Sequence, residues 1–139
     1  MRGETVWTVM QKGKKSTNNQ IGRMGEDAVC QYLMECGHGI LERNWRTGYL
    51  EIDIISLDKN GIHFVEVKSR VAPVMAEPEE NVGWVKQKRV ARAALRYLSE
   101  QKSKGFHDME VHMDVAAVVF SGGKVSISYF GDAYIPIYI

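Results

Sequence analysis

The chain has little of several things, and each shortage excludes something. Two cysteines and three prolines stand among 139 residues. Cys30 and Cys36 fall in one predicted helix, at a spacing that is not a metal knuckle, and two thiols make no disulfide framework. They read as reduced, partly buried thiols. No apolar run approaches the ~20 residues that a membrane-spanning helix needs. The N-terminal "MRGETVWTVMQKGKKSTNNQ" lacks the apolar region of a secretory signal. The expectation is a cytoplasmic chain with no membrane partner. A charge of one sign is missing too: the formal net charge is +1, so bulk charge names no partner. His38, His63, His107 and His112 are scattered, without HExxH or paired spacing, so a zinc site is not expected. His63, beside Phe64, reads as a packed histidine. Neither a glycine-rich phosphate loop nor a nucleophile elbow is present.

What is there describes an ordinary globular domain. The apolar fraction is 45% and the charged fraction 25%. Residues 1–19 are polar and weakly patterned, with Lys12, Lys14 and Lys15 close together, and read as a flexible arm before a single domain over 20–139. Thr17 and Gln20 are spaced as a capping box. Behind them Met24, Ala28, Val29, Leu33 and Cys36 form a helical stripe that "GHG" at 37–39 ends. Two strand-like runs, "ILERNWR" and "YLEIDIISL", are split at Thr47-Gly48, and "DKNG" turns the chain into a third, "IHFVEVK". The loop "VAPVMAEPEE" precedes a second helix from about Glu80 to Ser103, with Val90, Ala93, Ala94, Tyr97 and Leu98 inward. Two more strands, "VHMDVAAVVF" and "KVSISYF", complete the order. The pattern predicts an α/β fold with a mixed sheet of about five strands flanked by helices.

The stretch "EIDIISLDKNGIHFVEVK" carries the chemistry. Side chains alternate faces along a strand. Glu51 and Asp53 therefore share one face, with Ile52 and Ile54 on the other, and Glu66 shares a face with Lys68. If "DKNG" forms the connection, Asp53 lies opposite Glu66 and Glu51 opposite Lys68. If only Asn60-Gly61 turns, Asp53 meets Lys68. Either way the four charged groups gather on one face. Opposed side chains have Cβ atoms about 5 Å apart, and like charges there are destabilising. The two carboxylates need a cation or a shared proton. Oxygen ligands suit Mg²⁺ or Mn²⁺, held by Asp53 and Glu66, with Lys68 orienting the attacking water.

The spacing D-x12-E-x-K is the signature of the PD-(D/E)xK superfamily, whose fold is restriction-endonuclease-like. More of the chain agrees. "GRMGEDAVCQYLMECGHGILERNWR", "EIDII", "FVEVKSR" and "HMDVAAV" resemble the YraN-like family of small bacterial proteins, described as predicted endonucleases. The likeness covers residues ~21–120 and extends to archaeal Holliday-junction resolvases, which set a Glu on their first helix beside an Asp and an E-x-K. The resemblance implies a site of Glu26, Asp53, Glu66 and Lys68, with Glu26 reaching the metal from the first helix. It puts Arg23 near a phosphate and gives Glu51 a bordering or substrate-facing place. Ile52 stands where the superfamily's name has proline, Leu50 where the YraN-like motif has glycine, and the loop at 71–80 departs from the family's aromatic-glycine pattern.

The second helix is strongly one-signed. Lys86, Lys88, Arg89, Arg92, Arg96, Lys102 and Lys104 stand against the single acid Glu100. Lys88, Arg92 and Arg96 recur every four residues along one face, flanked by Lys86 and Arg89. Such a face contacts phosphates without reading bases. The leading expectation is a Mg²⁺- or Mn²⁺-dependent endonuclease acting on double-stranded, branched or nicked DNA, with a homodimer open. The alternative is a non-catalytic or weakly catalytic nucleic-acid-binding module of the same fold. A third reading is a scaffold that docks a partner, or a second copy, through the "YIPIYI" tail.

Overall fold

Thr17 starts the first helix as its spacing predicts. Its hydroxyl accepts from the Gln20 N–H, and the Gln20 side chain accepts from the Thr17 N–H, opening α1 (Asn18–Glu35). Gly37, at φ 92°, ends it in the left-handed region. Ile21, Val29, Cys30 and Leu33 are buried along one face. Cys36, expected on that stripe, is exposed instead, because it is the C-cap, beyond the last helical turn.

The computed structural model describes residues 2–8, 17–73, 83–101 and 104–136. After α1 come three antiparallel strands, β2 (Gly39–Thr47), β3 (Leu50–Asp58) and β4 (Gly61–Val71). Helix α2 (Trp84–Glu100) then leads across to β5 (Val111–Ser121), which lies parallel to β4, and β6 (Lys124–Phe130) returns antiparallel. The sheet is therefore mixed, with two helices packed on it, an α/β arrangement consistent with a restriction-endonuclease-like fold.

One strand was not expected. Arg2–Thr8, read from sequence as part of a flexible arm, form β1, antiparallel to β6. The sheet has six strands in the order β1-β6-β5-β4-β3-β2, where about five were predicted. Without β1, the backbone of β6 would present an unpaired edge. Lys12, Lys14 and Lys15, most of the 71–80 loop, Lys102 and the last three residues of "YIPIYI" lie outside the described residues. Among the described residues, no helix is long and apolar enough to cross a membrane.

Two apolar layers hold the sheet. Under α1, Val29, Cys30 and Leu33 meet Ile54, Val65, Val118 and Ile127. Under α2, Val90, Ala93, Ala94 and Tyr97 meet Ile52, Ile55, Phe64 and Met113. These strands are apolar on both faces because both faces are covered.

The β3–β4 register settles the alternatives. Asp58 pairs with Gly61 and Leu57 with Ile62, so the turn residues are Lys59-Asn60, and Gly61 alone of Asn60-Gly61 takes a positive φ. Extended one residue past the last pair, Ile54 with Val65, this register sets Asp53 against Glu66. The backbone ladder stops before it gets there. Strict alternation stops too. Ile54 joins the α1 layer, but Ile52 joins the α2 layer together with Ile55, so the two do not share a face as expected. Strand β3 rotates at Asp53. Its neighbour across β2 is Asn44, which takes a left-handed φ of 51° between Arg43, paired with Ile54, and Trp45, paired with Ile52. An asparagine tolerates that conformation at low cost.

Candidate functional site

Where β3 and β4 part, a cleft of about 770 Å³ opens, and Glu26, Asp53 and Glu66 all line it. Each arrives from a different element. Asp53 reaches across the fork, and its Oδ2 accepts the Val67 N–H at 2.8 Å, standing in for the lost ladder acceptor. Glu66 is buried on β4. Glu26 comes from α1, and Gly25 lets it come close. A side chain at Gly25 would collide with the Ser69 hydroxyl, so glycine allows α1 to lie against the backbone of β4. Asn44 then donates to Glu26 Oε1 at 2.9 Å, and Arg43 pairs with Asp27 at 2.7 Å.

The charges do not balance within the fork. Lys86 Nζ lies 2.9 Å from Glu66 Oε1. Burial opposes the ammonium of Lys86, but the charge and hydrogen bond of Glu66, together with the charges of Asp53 and Glu51, outweigh it and raise its pKa. Burial and the Glu66 charge push the Asp53 carboxyl up to about 8, against the pull of the Val67 N–H. Glu26 adds to the push and Lys86 opposes it. At neutral pH, then, Asp53 keeps a proton unless a cation replaces it.

The other expected residues divide. Lys68 does not line the cleft, but it is coupled to it. Burial lowers its pKa, Arg70 and Lys86 add to that, and the Glu66 charge opposes it. Glu51 pairs with Arg46 at 3.4 Å rather than with Lys68, so it borders the site. Arg23 is exposed, one helical turn before Glu26. On α2, Arg89, Arg92 and Arg96 are exposed, and Arg96 reaches Thr47 Oγ1 at 3.4 Å. Lys88 lies over the Trp84 ring, 4.7 Å from its centre. Lys86 was expected on DNA with its neighbours; the structure turns it into the acidic fork. Sequence reasoning missed Asn44 and Gly25. Asn44 gives no signal in the pattern, whereas Gly25, inside a helix and next to a candidate acid, is one.

A second polar cluster sits at the turn end of the same hairpin. His38, His63 and His112, scattered in sequence, stack there, with His63 4.6 Å from each of the other two rings. His63 Nδ1 lies 2.7 Å from Asp114 Oδ2, and its Nε2 lies 2.8 Å from Asp58 Oδ1. His112 Nδ1 meets Asp132 at 2.8 Å, and its Nε2 donates to the Asn60 carbonyl at 3.0 Å. Tyr129 OH and the Asp132 N–H both donate to Asp114. Burial pushes His63 down and Asp114 up, but their contact, with Asp58 on His63 and with Tyr129 and the Asp132 N–H on Asp114, prevails, so His63 is raised and Asp114 is lowered. His38 is lowered by burial and by the His63 charge. His63 is indeed packed, as expected, but inside a charged network.

The family model described as the uncharacterised protein family UPF0102 matches residues 25–118. The chain belongs to that family. It is the YraN-like group that the sequence resembles. A UPF0102 protein of Bacteroides thetaiotaomicron is 38% identical over 120 residues, covering 86% of this chain and 95% of that one. One from Rhodococcus jostii is 36% identical over 118 residues, covering 84% and 98%. Among solved structures, Pyrococcus furiosus SfsA in complex with Ca²⁺ aligns over 86% of this chain and 72% of that one, at 16% identity and a TM-score of 0.36. At that score the likeness carries no argument about the site. The UPF0102 names state no activity, so function has to come from the fork itself.

Proposed function

We propose that this UPF0102 protein is a metal-dependent endonuclease that hydrolyses phosphodiester bonds in DNA, selecting branched or nicked structure rather than sequence. The observation that carries the reading is the convergence of Glu26, Asp53 and Glu66 from α1, β3 and β4, where burial and the Glu66 charge raise the Asp53 carboxyl. The donor set is all carboxylate oxygen, which fits a hard divalent ion, Mg²⁺ or Mn²⁺. Glu26, Asp53 and Glu66 would hold it. When bound, such an ion polarises the phosphodiester and makes water a better nucleophile.

The chain's own residues do the rest. The Val67 N–H fixes one Asp53 oxygen and aims the other into the cleft. Lys68 offers its N–H groups to the phosphate oxygens that gain charge in the transition state. Lys86 holds the Glu66 carboxylate in place through their ion pair. Arg23, Lys88, Arg89, Arg92 and Arg96 take successive phosphates and fix the duplex in register without reading bases. A homodimer would bring two such forks to two strands.

The test is cleavage of branched, nicked and linear DNA with Mg²⁺ or Mn²⁺. Asp53→Asn and Lys68→Ala should each lower the rate by ~100-fold or more. Cutting that survives both substitutions comes from a contaminant and sinks the reading. The Lys86–Glu66 ion pair favours one alternative, a DNA-binding module in which a lysine has taken the metal's place. Calorimetry separates the two. A nuclease binds Mn²⁺ and loses it in Asp53→Asn, whereas the module binds DNA with no regard to metal.

A further inference from the structure

We propose that His38, Asp58 and His63 form a second cation site, which takes a divalent transition metal of the zinc class and ties the α1–β2 connection to the β3–β4 turn. Their ligand atoms all lie within 4.8 Å of one another. His38 Nε2 is 3.3 Å from Asp58 Oδ2, and His63 Nε2 is 2.8 Å from Asp58 Oδ1. Ligands of a tetrahedral zinc ion stand about 3.3 Å apart, given metal–ligand bonds of ~2.0–2.1 Å. The His38–Asp58 pair already stands at that distance, and the closer His63–Asp58 pair and the two histidine nitrogens, which lie within 4.8 Å, have to adjust on binding.

The groups behind the ligands support the assignment. A metal-binding imidazole usually gives its other nitrogen to an acceptor that fixes tautomer and ring orientation. Both histidines have that partner. His38 Nδ1 meets Ser56 Oγ at 2.9 Å, and His63 Nδ1 meets the buried Asp114 at 2.7 Å. Asp114 is itself held by Tyr129 and by the Asp132 N–H. The three ligand side chains are only 9%, 12% and 10% exposed, so little side-chain freedom remains to be lost on binding. His112 is not a ligand, because both its nitrogens are engaged elsewhere. A pocket of about 370 Å³ opens beside the three and leaves a fourth position to solvent. Two imidazoles and one carboxylate suit Zn²⁺ or Co²⁺ and disfavour Mg²⁺. The site differs in chemistry from the acidic fork and does not depend on its reading.

A proton held between His63 Nε2 and Asp58 leaves to solvent when the metal binds. In its place the ion joins residues that are 20 and 25 positions apart in the chain, His38 to Asp58 and His38 to His63. The experiment uses the full chain carrying Asp53→Asn, stripped with chelator, so that the fork does not compete. Co²⁺ is titrated in and followed by its visible absorption, and Zn²⁺ by calorimetry and by melting temperature. The expected result is one equivalent of either ion, visible bands of a four- or five-coordinate Co²⁺, and a higher melting temperature with Zn²⁺. Adding His38→Gln should weaken binding roughly a hundredfold, the upper range for loss of even an outer partner. Asp58→Asn serves as a second variant should the first fail to fold. Absence of saturable Co²⁺ and Zn²⁺ binding overturns the proposal, as does equal binding in both folded variants.

Discussion

The two ends of the β3–β4 hairpin hold opposite kinds of charge cluster. At the fork, Glu26, Asp53 and Glu66 meet two cations, Lys86 at 2.9 Å from Glu66 and Arg43 at 3.9 Å from Glu26. At the turn, His38, His63 and His112 alternate with Asp58, Asp114 and Asp132. Both clusters raise a pKa, for opposite reasons. Asp53 is raised by burial and by the like charge of Glu66, and His63 is raised, against burial, by the unlike charges of Asp114 and Asp58. His63 and Glu66 lie three residues apart on one strand, about 10 Å at the usual rise, so one element carries both environments. Removing an acid should therefore have opposite consequences at the two ends.

The largest effect is expected at the turn. Asp114→Asn takes away the buried partner of His63 and should destabilise the fold by about 3 kcal/mol, the low end for breaking a buried pair, read by urea denaturation. An unchanged midpoint would mean that the network adds nothing. At the fork the sign reverses. Asp53→Asn keeps an acceptor for Val67 and removes the group that resists ionisation. Without metal it should stabilise the protein at pH 8 and above, read by the same denaturation.

The pH dependence follows from the same sign. The folded pKa of Asp53 lies above its unfolded value, so between about pH 4 and 8 the folded state holds a proton that the unfolded chain has released. Stability from this group is full below that window and declines as pH rises through it. The gain in Asp53→Asn should vanish below about pH 4, and a gain independent of pH would refute the assignment. His63 is raised as well, so its contribution is present below about pH 6.5 and is lost as pH rises through its folded value. Asp58 and Asp114 are lowered by their histidines, so theirs is lost as pH falls through their folded values.

Smaller effects sharpen the contrast. Gly25→Ala pushes α1 off Ser69 and should cost about 1–3 kcal/mol. It should weaken Mn²⁺ binding at the fork and leave Co²⁺ binding at the turn untouched; equal loss at both ends would mean general damage. The smallest change is expected on α2. Arg89→Gln should reduce the salt dependence of DNA affinity by about one phosphate contact, measured from binding at several salt concentrations.

Much of this was legible in the chain. The capping box at Thr17, the stripe on α2, the mixed sheet and the register that points Asp53 at Glu66 all follow from local rules. The break at Asp53 does not. It arises because β4 continues parallel to β5 as far as Val71, while β3 stops pairing with β4 at Ile54. The strand at Arg2–Thr8 was missed because its sequence is polar and its stability comes from β6, more than a hundred residues away. The histidines looked scattered because a motif search sees only spacing.

The sequence by itself determined the order of the two helices and of strands β2 to β6, the apolar stripes of both helices, and that two acids and a lysine stand near the ends of one hairpin. Those properties depend on neighbours within a few residues, through caps, turns and alternation. Only the tertiary structure decided which charges meet. It set Lys86 on Glu66, brought Glu26 to Asp53 across the bare backbone of Gly25, and gathered His38, His63 and His112 around three aspartates. The physical reason is range. Burial and the charge of distant segments set the energy of an ionisable group, and only the folded chain fixes both.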